Sequence, residues 1–443
     1  MRTRLLADCA GPCNTGAAGG PTGMMQANLR RRTLLKGGAA VAAAMTLPFG
    51  RVMAQAAAEL AAVPIPPAIS SEERLQRLAK ARALMQRSGI GAIIVESGPS
   101  LDYLTGVQWW RSERLTAAVI PAHGEPIIVT PFFERPSVAE SLSIPAEIRT
   151  WNEDEEPLKL VADFLRERKV ANAPVGFEET DRYFILDRLK RQLPGVRIFS
   201  ANPIVRALRM IKTEHELALM QAANDIMLAS LRYAGERTRE GMTSADIDAM
   251  IAAAHKTLGS AYDGGLVLIG EASAYPHGSK KPHVVRRGDI VLMDCTSSVH
   301  GYQADITRTF VFGADPSPEQ RKLWDQVHRG QQIAIAAAKV GVPAGSVDDA
   351  VRRAYESWGY GPGYKLPGLP HRTGHGIGME VHEPIYLVHG ETTPLAPGMC
   401  FSDEPGIYIP GKFGVRLEDC WHMTESGPKF FTQPPPSIDH PFG

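Results

Sequence analysis

The sequence predicts an α+β protein of two domains, and the order of its elements carries this prediction. Short apolar β runs alternate with helices between Ile65 and Pro203, which is typical of a small α/β domain. From Arg206 to about residue 435, a second order appears twice: two long helices, then strands. We therefore expect residues 65–203 to form a small α/β domain and residues 206–435 to form a domain of two ααββ halves.

In the first domain, capping and turn signals mark the elements. Ser70 or Ser71 begins a helix that ends near Gly89. Strands are predicted at 92–95, 117–120, 127–129 and 175–177, and helices near 158–168 and 182–192. Trp109 and Trp110 either pack locally or lie on a loop that reaches an active site, including that of a neighbouring subunit.

In the second domain, each half begins with two helices. Thr213 and Glu216 form a capping box, and Thr243 opens the next helix. Ser317, with proline at the first helical turn, begins the second half, and Ser346 opens its second helix. Strands and a β-hairpin with two carboxylates follow in each half.

Four carboxylates are predicted to meet in pairs on these hairpins. With a turn at Ser297–Gly301, Asp294 should lie directly opposite Asp305. Glu404 and Glu418 repeat the arrangement around a Pro-Gly turn. Opposed like charges destabilise a sheet, and two such pairs among apolar residues indicate a cation between them.

A histidine, His375, completes a donor set of oxygen and nitrogen atoms without thiolate. Such a set suits two divalent ions, of which we expect manganese first, with cobalt, zinc or iron as alternatives.

Four segments carry a family resemblance: DCTSSVHGYQADITRTF, HRTGHGIGMEVHE, SDEPGIYIPGKFGVRLED and PHG. They resemble the pita-bread metallopeptidases, specifically the creatinase-like branch of prolidases and Xaa-Pro aminopeptidases, over roughly residues 66–435. The resemblance implies a pita-bread catalytic domain behind a creatinase-like N-terminal domain. It also implies an exopeptidase that cleaves between an N-terminal residue and proline, so the expected partner is a peptide with proline at its second position.

The resemblance further implies a role for each metal ligand. Asp294 would bind one metal, Asp305 and Glu418 would bridge both, and His375 and Glu404 would complete the second. A hydroxide that bridges the metals would be the nucleophile, with Glu404 as the proton acceptor.

Three more histidines and an arginine are expected around the metals. His382 would stabilise the oxyanion, and His277 and His371 would bind the scissile peptide and the residue after it, with His277 also contributing to catalysis. Arg416, two residues before Glu418, would point to the same strand face and bind substrate, neutralise the carboxylates or orient Glu418.

The sequence leaves alternatives open for the length of the substrate and for the reaction. Residues 383–398 contain no arginine that could hold a substrate carboxylate, which favours an aminopeptidase acting on longer peptides over a dipeptidase. Other chemistry on the same scaffold, such as that of the dimethylsulfoniopropionate lyase, is an alternative, although Thr296 stands where an additional aspartate would be expected. A catalytically silent binding module is the third reading.

Residues 1–56 are predicted to be a targeting segment. Arg30 to Lys36 resembles a twin-arginine signal, an apolar stretch follows, and Ala54-Gln55-Ala56 is a cleavage site. We therefore expect a bacterial periplasmic protein, and the resemblance leads us to expect a homodimer.

The charge balance limits the class of partner. The whole chain has a net charge of zero, and the first 56 residues hold seven basic and one acidic residue, so six more acidic than basic groups remain beyond residue 56. This excess argues against nucleic-acid binding. No later segment approaches the length of a membrane helix, so we expect no membrane partner.

Overall fold

The computed structural model describes residues 55, 56 and 58–443. The twin-arginine motif and the rest of the predicted targeting segment, apart from residues 55 and 56, lie outside these residues. Among the described residues, no helix has both the length and the apolar character needed to cross a membrane.

The first region of the fold is a six-stranded sheet in the order β4-β3-β2-β1-β5-β6. Its strands are β1 (Ala92–Glu96), β2 (Ala117–Pro121), β3 (Ile127–Pro131), β4 (Glu147–Trp151), β5 (Pro174–Phe177) and β6 (Arg197–Ser200). β2 is antiparallel to both β1 and β3, whereas the other three pairs are parallel. The four predicted strands are confirmed, and β4 and β6 were not predicted.

Helices cover both faces of this sheet, which explains the uninterrupted apolar strands. They are α1 (Ser71–Ser88), α2 (Pro99–Thr105), α3 (Arg135–Ser141), α4 (Pro157–Glu167), α5 (Tyr183–Gln192) and α6 (Asn202–Arg209). Ile93 and Val95 join a core with Met85 of α1, whereas Ile94 joins a separate core with Phe164 of α4. Ser70 caps α1 through a capping box, as the sequence predicts.

The second region contains the repeated ααββ order. The first half comprises α7 (Glu214–Arg237), α8 (Ser244–Leu258), β7 (Ala261–Ile269), β8 (Ile290–Val299) and β9 (Tyr302–Val311). The second comprises α9 (Pro318–Ala337), α10 (Gly345–Ser357), β10 (Gly374–Gly376), β11 (Glu383–Leu387), β12 (Cys400–Asp403), β13 (Gly406–Ile409), β14 (Phe413–Arg416), β15 (Asp419–Thr424) and β16 (Gly427–Phe430). Together with the first region, these halves give the expected α+β pita-bread architecture.

The strands of the second region form antiparallel sheets. The first half has a three-stranded sheet in the order β7-β8-β9. The second half has a five-stranded sheet in the order β11-β10-β12-β15-β16, and the β13–β14 ribbon extends beyond it.

Three of the four predicted helix starts in this region are correct. Thr213, Thr243 and Ser317 each accept a backbone hydrogen bond in a capping box. The prediction for Ser346 is wrong, because α10 begins one residue earlier, after Ala344, without a side-chain cap. The Ser346 hydroxyl instead donates to the carbonyl of Pro343 at 2.6 Å.

The predicted register of the first carboxylate hairpin is also wrong by two residues. Its turn contains only His300 and Gly301, with φ of 49° and 82°, so the strands extend further than predicted. Asp294 therefore pairs with Thr307, and Asp305 pairs with Thr296. Because side chains alternate with period two, this shift leaves both aspartates on one face as diagonal neighbours.

The register of the second hairpin is as predicted. Asp403 pairs with Asp419 and Gly406 pairs with Arg416, so Glu404 and Glu418 occupy corresponding positions between these pairs. The backbone of Glu418 exchanges two hydrogen bonds with Thr307 of β9, at 3.1 and 3.3 Å. This bridge joins the two halves at the carboxylate positions.

Candidate metal centre

A cavity of about 470 Å³ contains every side chain that the sequence predicts for the site. The predicted residues among its lining are His277, Asp294, Asp305, His371, His375, His382, Glu404, Arg416 and Glu418. They come from both ααββ halves, so the cavity lies where the halves meet.

The inner wall of the cavity consists of Asp305, His375 and Glu418. These side chains offer ligand atoms that all lie within 4.8 Å of one another. The residues are 5%, 1% and 2% exposed, respectively. Donor atoms that are each about 2.1 Å from one metal ion lie at such separations from one another.

The orientation of His375 leaves room for a cation beside its Nε2 atom. Its Nδ1–H donates to the carbonyl of Gly376 at 3.1 Å, which leaves the Nε2 lone pair facing inward. Oxygens of Glu404, Asp305 and Glu418 lie 3.5, 3.7 and 3.9 Å from Nε2. Burial lowers the pKa of His375 to about 3, so a proton on Nε2 does not supply the positive charge.

The ionised forms of the carboxylates around His375 are also unfavourable without a cation. Burial, reinforced by the neighbouring acids, raises the pKa of Asp305 and of Glu418 well above the ordinary range. Burial also raises the pKa of Glu404 to about 7. Oδ1 of Asp305 and Oε1 of Glu418 are buried without a hydrogen-bond partner. A divalent cation would satisfy these oxygens and the Nε2 atom together, so the residues fit a metal site.

Arg416 neutralises part of this charge and is itself fully engaged. Its guanidinium forms an ion pair with Asp294 and donates to Thr307 Oγ1 at 3.3 Å, to the Pro276 carbonyl at 3.2 Å and to the Tyr408 hydroxyl at 2.7 Å. The Thr307 hydroxyl then donates to Oε2 of Glu418 at 2.8 Å. Arg416 therefore reaches Glu418 only through Thr307.

His371 belongs to the same hydrogen-bonded chain. Its Nδ1–H donates to the Arg372 carbonyl at 2.8 Å, so Nε2 accepts from the Tyr408 hydroxyl at 2.9 Å. Burial lowers the pKa of His371 to about 3, which keeps the imidazole neutral.

The rim of the cavity is more open. His277 and His382 are both exposed, and the His382 ring packs edge-on against His375 with 4.3 Å between ring centroids. His382 precedes Glu383, a buried residue whose carboxylate accepts hydrogen bonds from Arg209 and Lys212. These contacts fix the turn that carries His382.

Glycines on both sides of His375 let the strands of the site approach closely. A Cβ atom on Gly374 would lie 2.2 Å from the Ser402 carbonyl oxygen, and one on Gly376 would lie 2.4 Å from the Glu383 carbonyl oxygen. Either position therefore requires glycine.

Three cavity or network residues were not predicted: Asp263, Arg372 and Tyr408. Arg372 lies inside the HRTGH segment between two predicted histidines, and this position was an available signal. Tyr408 shares a strand face with Gly406 and Glu404 by simple alternation. Asp263 follows Tyr262 at a β-bulge, which alternation of side chains does not predict.

The fold and the cavity define a site suited to divalent metal ions, and comparison with known proteins gives the family. Residues 218–425 match the model of metallopeptidase family M24, and residues 77–211 match the creatinase/prolidase N-terminal domain. Residues 28–48 match the twin-arginine translocation signal, which supports the predicted targeting segment and export by the twin-arginine route.

Individual relatives agree with these matches. The chain is 34% identical to the probable dipeptidase PepE of Mycobacterium tuberculosis over 363 residues, which are 81% of this chain and 94% of the relative. It is 31% identical to the Xaa-Pro dipeptidase of Lactobacillus helveticus, over 80% of this chain and 96% of the relative. The crystal structure of dipeptidase PepE from Mycobacterium ulcerans superimposes with a TM-score of 0.74 at 33% identity, covering 83% of this chain and 98% of that one.

The chain belongs to metallopeptidase family M24, in its prolidase branch. It is therefore a metallo-exopeptidase, and membership of the family implies a divalent-metal cofactor. These relatives do not favour the lyase alternative or the silent binding module.

Proposed function

We propose that this enzyme hydrolyses the bond between an N-terminal residue and proline, using two divalent ions of which manganese is the first candidate. The observation that carries the proposal is the inner wall, where a neutral imidazole lone pair and unpartnered carboxylate oxygens face one another. The name of the Lactobacillus helveticus relative supports the proline specificity.

Five side chains would hold the two ions. Asp294 would bind one, His375 and Glu404 would bind the other, and Asp305 and Glu418 would bridge them. When bound, the ions polarise the scissile carbonyl and lower the pKa of a water molecule in the site. The donor set of four carboxylates and one imidazole suits manganese and does not exclude the other divalent ions of the first transition row.

The remaining residues would move protons and bind the substrate. Glu404 would accept the proton of the attacking water and return it to the leaving nitrogen of proline. His382 would donate a hydrogen bond to the carbonyl oxygen as negative charge develops. His277 would contribute to catalysis at the scissile carbonyl and would bind the scissile peptide. His371 would bind the residue after it. Arg416 would position the carboxylates and the peptide.

The test is metal analysis of the purified protein together with hydrolysis assays on Ala-Pro, Ala-Pro-Ala and Ala-Ala. We expect two equivalents of divalent metal, cleavage of a proline-containing peptide, and little cleavage of Ala-Ala. Removal of metal should abolish cleavage, and its return should restore it. A protein that retains metal and cleaves none of the Xaa-Pro peptides would contradict the proposal.

We propose that the mature enzyme begins after Ala56, comprises domains at about 65–203 and 206–435, and acts in the periplasm. The match to a twin-arginine signal at residues 28–48 supports export. Replacement of Arg31 and Arg32 by lysine should leave unprocessed protein in the cytoplasm, measured by fractionation and by the mass of the product. Unchanged periplasmic appearance of this double variant would exclude the twin-arginine route.

We also propose that the enzyme is a homodimer. The Trp110 side chain supports this, since it is 71% exposed while stacked on Trp109 at 5.1 Å between centroids. Sedimentation of the wild type and of Trp110→Ser tests it, with a shift of the variant towards monomer expected.

A further inference from the structure

Two arginines line the cavity, and they differ in what they contact. Arg416 is buried and uses its guanidinium in an ion pair and three further hydrogen bonds. Arg372 is half-buried, and among residues 58–443 its guanidinium has no hydrogen bond and no carboxylate within 4.0 Å. A guanidinium withdrawn from water normally acquires such partners, so that of Arg372 is available to a ligand.

An aromatic ring holds the Arg372 guanidinium in place. Its central carbon lies 4.1 Å from the centroid of the Tyr386 ring. Tyr386 is on β11 and pairs directly with His375 on β10, so the ring stands beside the inner wall. A guanidinium that stacks on a ring keeps its N–H groups free in its own plane, where they can bind a carboxylate with two parallel hydrogen bonds.

The acids of the cavity do not need Arg372 as a counter-charge. Asp294 forms an ion pair with Arg416, and a metal ion would supply the counter-charge for the inner-wall acids. Arg372 nevertheless faces the site, because it lines the same cavity as these acids. The guanidinium is therefore close to the reacting groups, with no carboxylate of residues 58–443 within ion-pair distance.

We propose that Arg372 binds the free C-terminal carboxylate of the substrate and so selects dipeptides, with Tyr386 as its positioning residue. The inference rests on the proposed Xaa-Pro hydrolysis. In an Xaa-Pro dipeptide the carboxylate lies on the residue directly after the scissile bond, whereas a longer peptide carries a neutral amide there. This assignment reverses the expectation of longer substrates drawn from the absence of arginine in residues 383–398.

The experiment compares Ala-Pro with Ala-Pro-amide and Ala-Pro-Ala in the metal-loaded enzyme. The wild type should show a kcat/KM about 10–100-fold higher on Ala-Pro than on the other two, mainly through KM. Arg372→Gln should lose most of this preference by raising KM for Ala-Pro about 10–100-fold, with little change on the amide. Arg372→Lys should recover part of the preference, because it keeps the charge without the planar fork.

One control variant and one further test variant separate charge recognition from damage to the fold. Arg353→Gln, on the exposed side of α10, should leave all three activities unchanged. Tyr386→Leu is a second test of the site: it removes the ring without removing the charge, so it should raise KM for Ala-Pro more than KM for the amide. Product inhibition of the wild type gives a test that needs no variant: proline should inhibit at least about tenfold more strongly than prolinamide.

The outcomes distinguish this inference from the proposed function. No cleavage of any Xaa-Pro compound would overturn the proposed function. Cleavage by the wild type without preference for the free carboxylate would overturn the role of Arg372 alone. An equal fall in kcat on all three substrates in Arg372→Gln would also overturn it, since that result would mean that Arg372 acts on the acids of the cavity instead.

Discussion

The inner wall and the rim of the cavity are built from similar residue types but in opposite environments. At the inner wall, Asp305, His375 and Glu418 are almost fully buried and have unsatisfied or mutually repelling atoms. At the rim, His277 and His382 are exposed to solvent. The first environment is unfavourable without a cation, whereas the second is favourable in water. This difference supports the proposed roles, which are metal binding for the wall and contact with substrate for the rim.

The largest effect should follow a change at the inner wall. Glu418→Gln keeps the shape of the side chain but removes a charged metal ligand, so activity should fall below detection and metal content should drop. The metal-free variant should also be more stable than the metal-free wild type, by about 1 kcal/mol, because a buried carboxylate with a raised pKa is gone. Elemental analysis, kinetics and thermal unfolding measure these changes.

A variant with wild-type metal content and turnover would contradict the role of Glu418. Glu425→Gln, on the exposed turn after β15, is the matched control and should change none of the three measurements.

A change at the rim should lower the rate without loss of metal. His382→Ala should reduce kcat about 10²–10³-fold on an Xaa-Pro peptide, since one donor to the developing oxyanion is lost. Its metal content and thermal stability should stay near those of the wild type. His123→Ala, on the exposed surface of the first region, serves as the control.

If His382→Ala lost metal, His382 would belong to the metal ligands and the contrast between wall and rim would fail. If the variant kept full activity, the oxyanion role would fall to His277 or His371.

The smallest effect concerns pH. In the metal-free protein, burial raises the pKa of Glu404 to about 7, so its contribution favours folding at low pH and is lost as pH rises from about 4.5 to 7. If Glu404 and His375 are ligands as proposed, metal binding requires Glu404 ionised and His375 neutral, so the binding of metal should become more favourable over the same pH range. We therefore expect the rise in Tm on addition of metal to grow from pH 5 to pH 8, by several degrees.

Paired thermal scans with and without metal measure this increment. An increment that is constant or falls with pH would mean that the carboxylates of the wall are already ionised without metal.

The sequence was sufficient to predict the architecture and nine residues that line one cavity, because strong local signals mark them. Capping boxes at Thr213, Thr243 and Ser317 fixed the helix starts, and the donor residues lie in segments specific to the family. The register of the first hairpin was not predictable in the same way. The turn is as short as two residues because His300 and Gly301 both adopt positive φ, and nothing in Ser297–Gly301 other than its glycine indicates this.

A pair of directly opposed carboxylates is also not specific to metal sites in this protein. Asp403 and Asp419 face each other directly on β12 and β15, are fully buried, and do not line the cavity. Arg308 forms an ion pair with Asp419 at 2.6 Å, and burial together with Asp419 raises the pKa of Asp403 well above its usual range, which favours the protonated form of Asp403. An arginine that is far away in the sequence, together with a proton, can therefore stabilise a pair of opposed carboxylates without a metal ion. Neither can be predicted from the local spacing of the acids.

Arg372, in contrast, is a candidate binding residue that the sequence analysis did not identify. The sequence prediction of longer substrates depended on residues 383–398, which follow His382 and contain no arginine. Arg372 lies two residues before β10, and the β10–β11 pairing brings it onto the ring of Tyr386. Recognition that depends on a pairing between strands is fixed by tertiary structure and is therefore read only from the fold.

The three thiols of the folded region have a consequence for the order of events during export. Cys295, Cys400 and Cys420 are free and buried, and burial raises the pKa of each, that of Cys400 to about 12. In this state they hold almost no thiolate, which is the form that reacts with oxidants. An unfolded chain would expose all three beside its metal ligands in an oxidising compartment. Export through the twin-arginine route, after folding, would let the protein keep reduced cysteines where most proteins form disulfides.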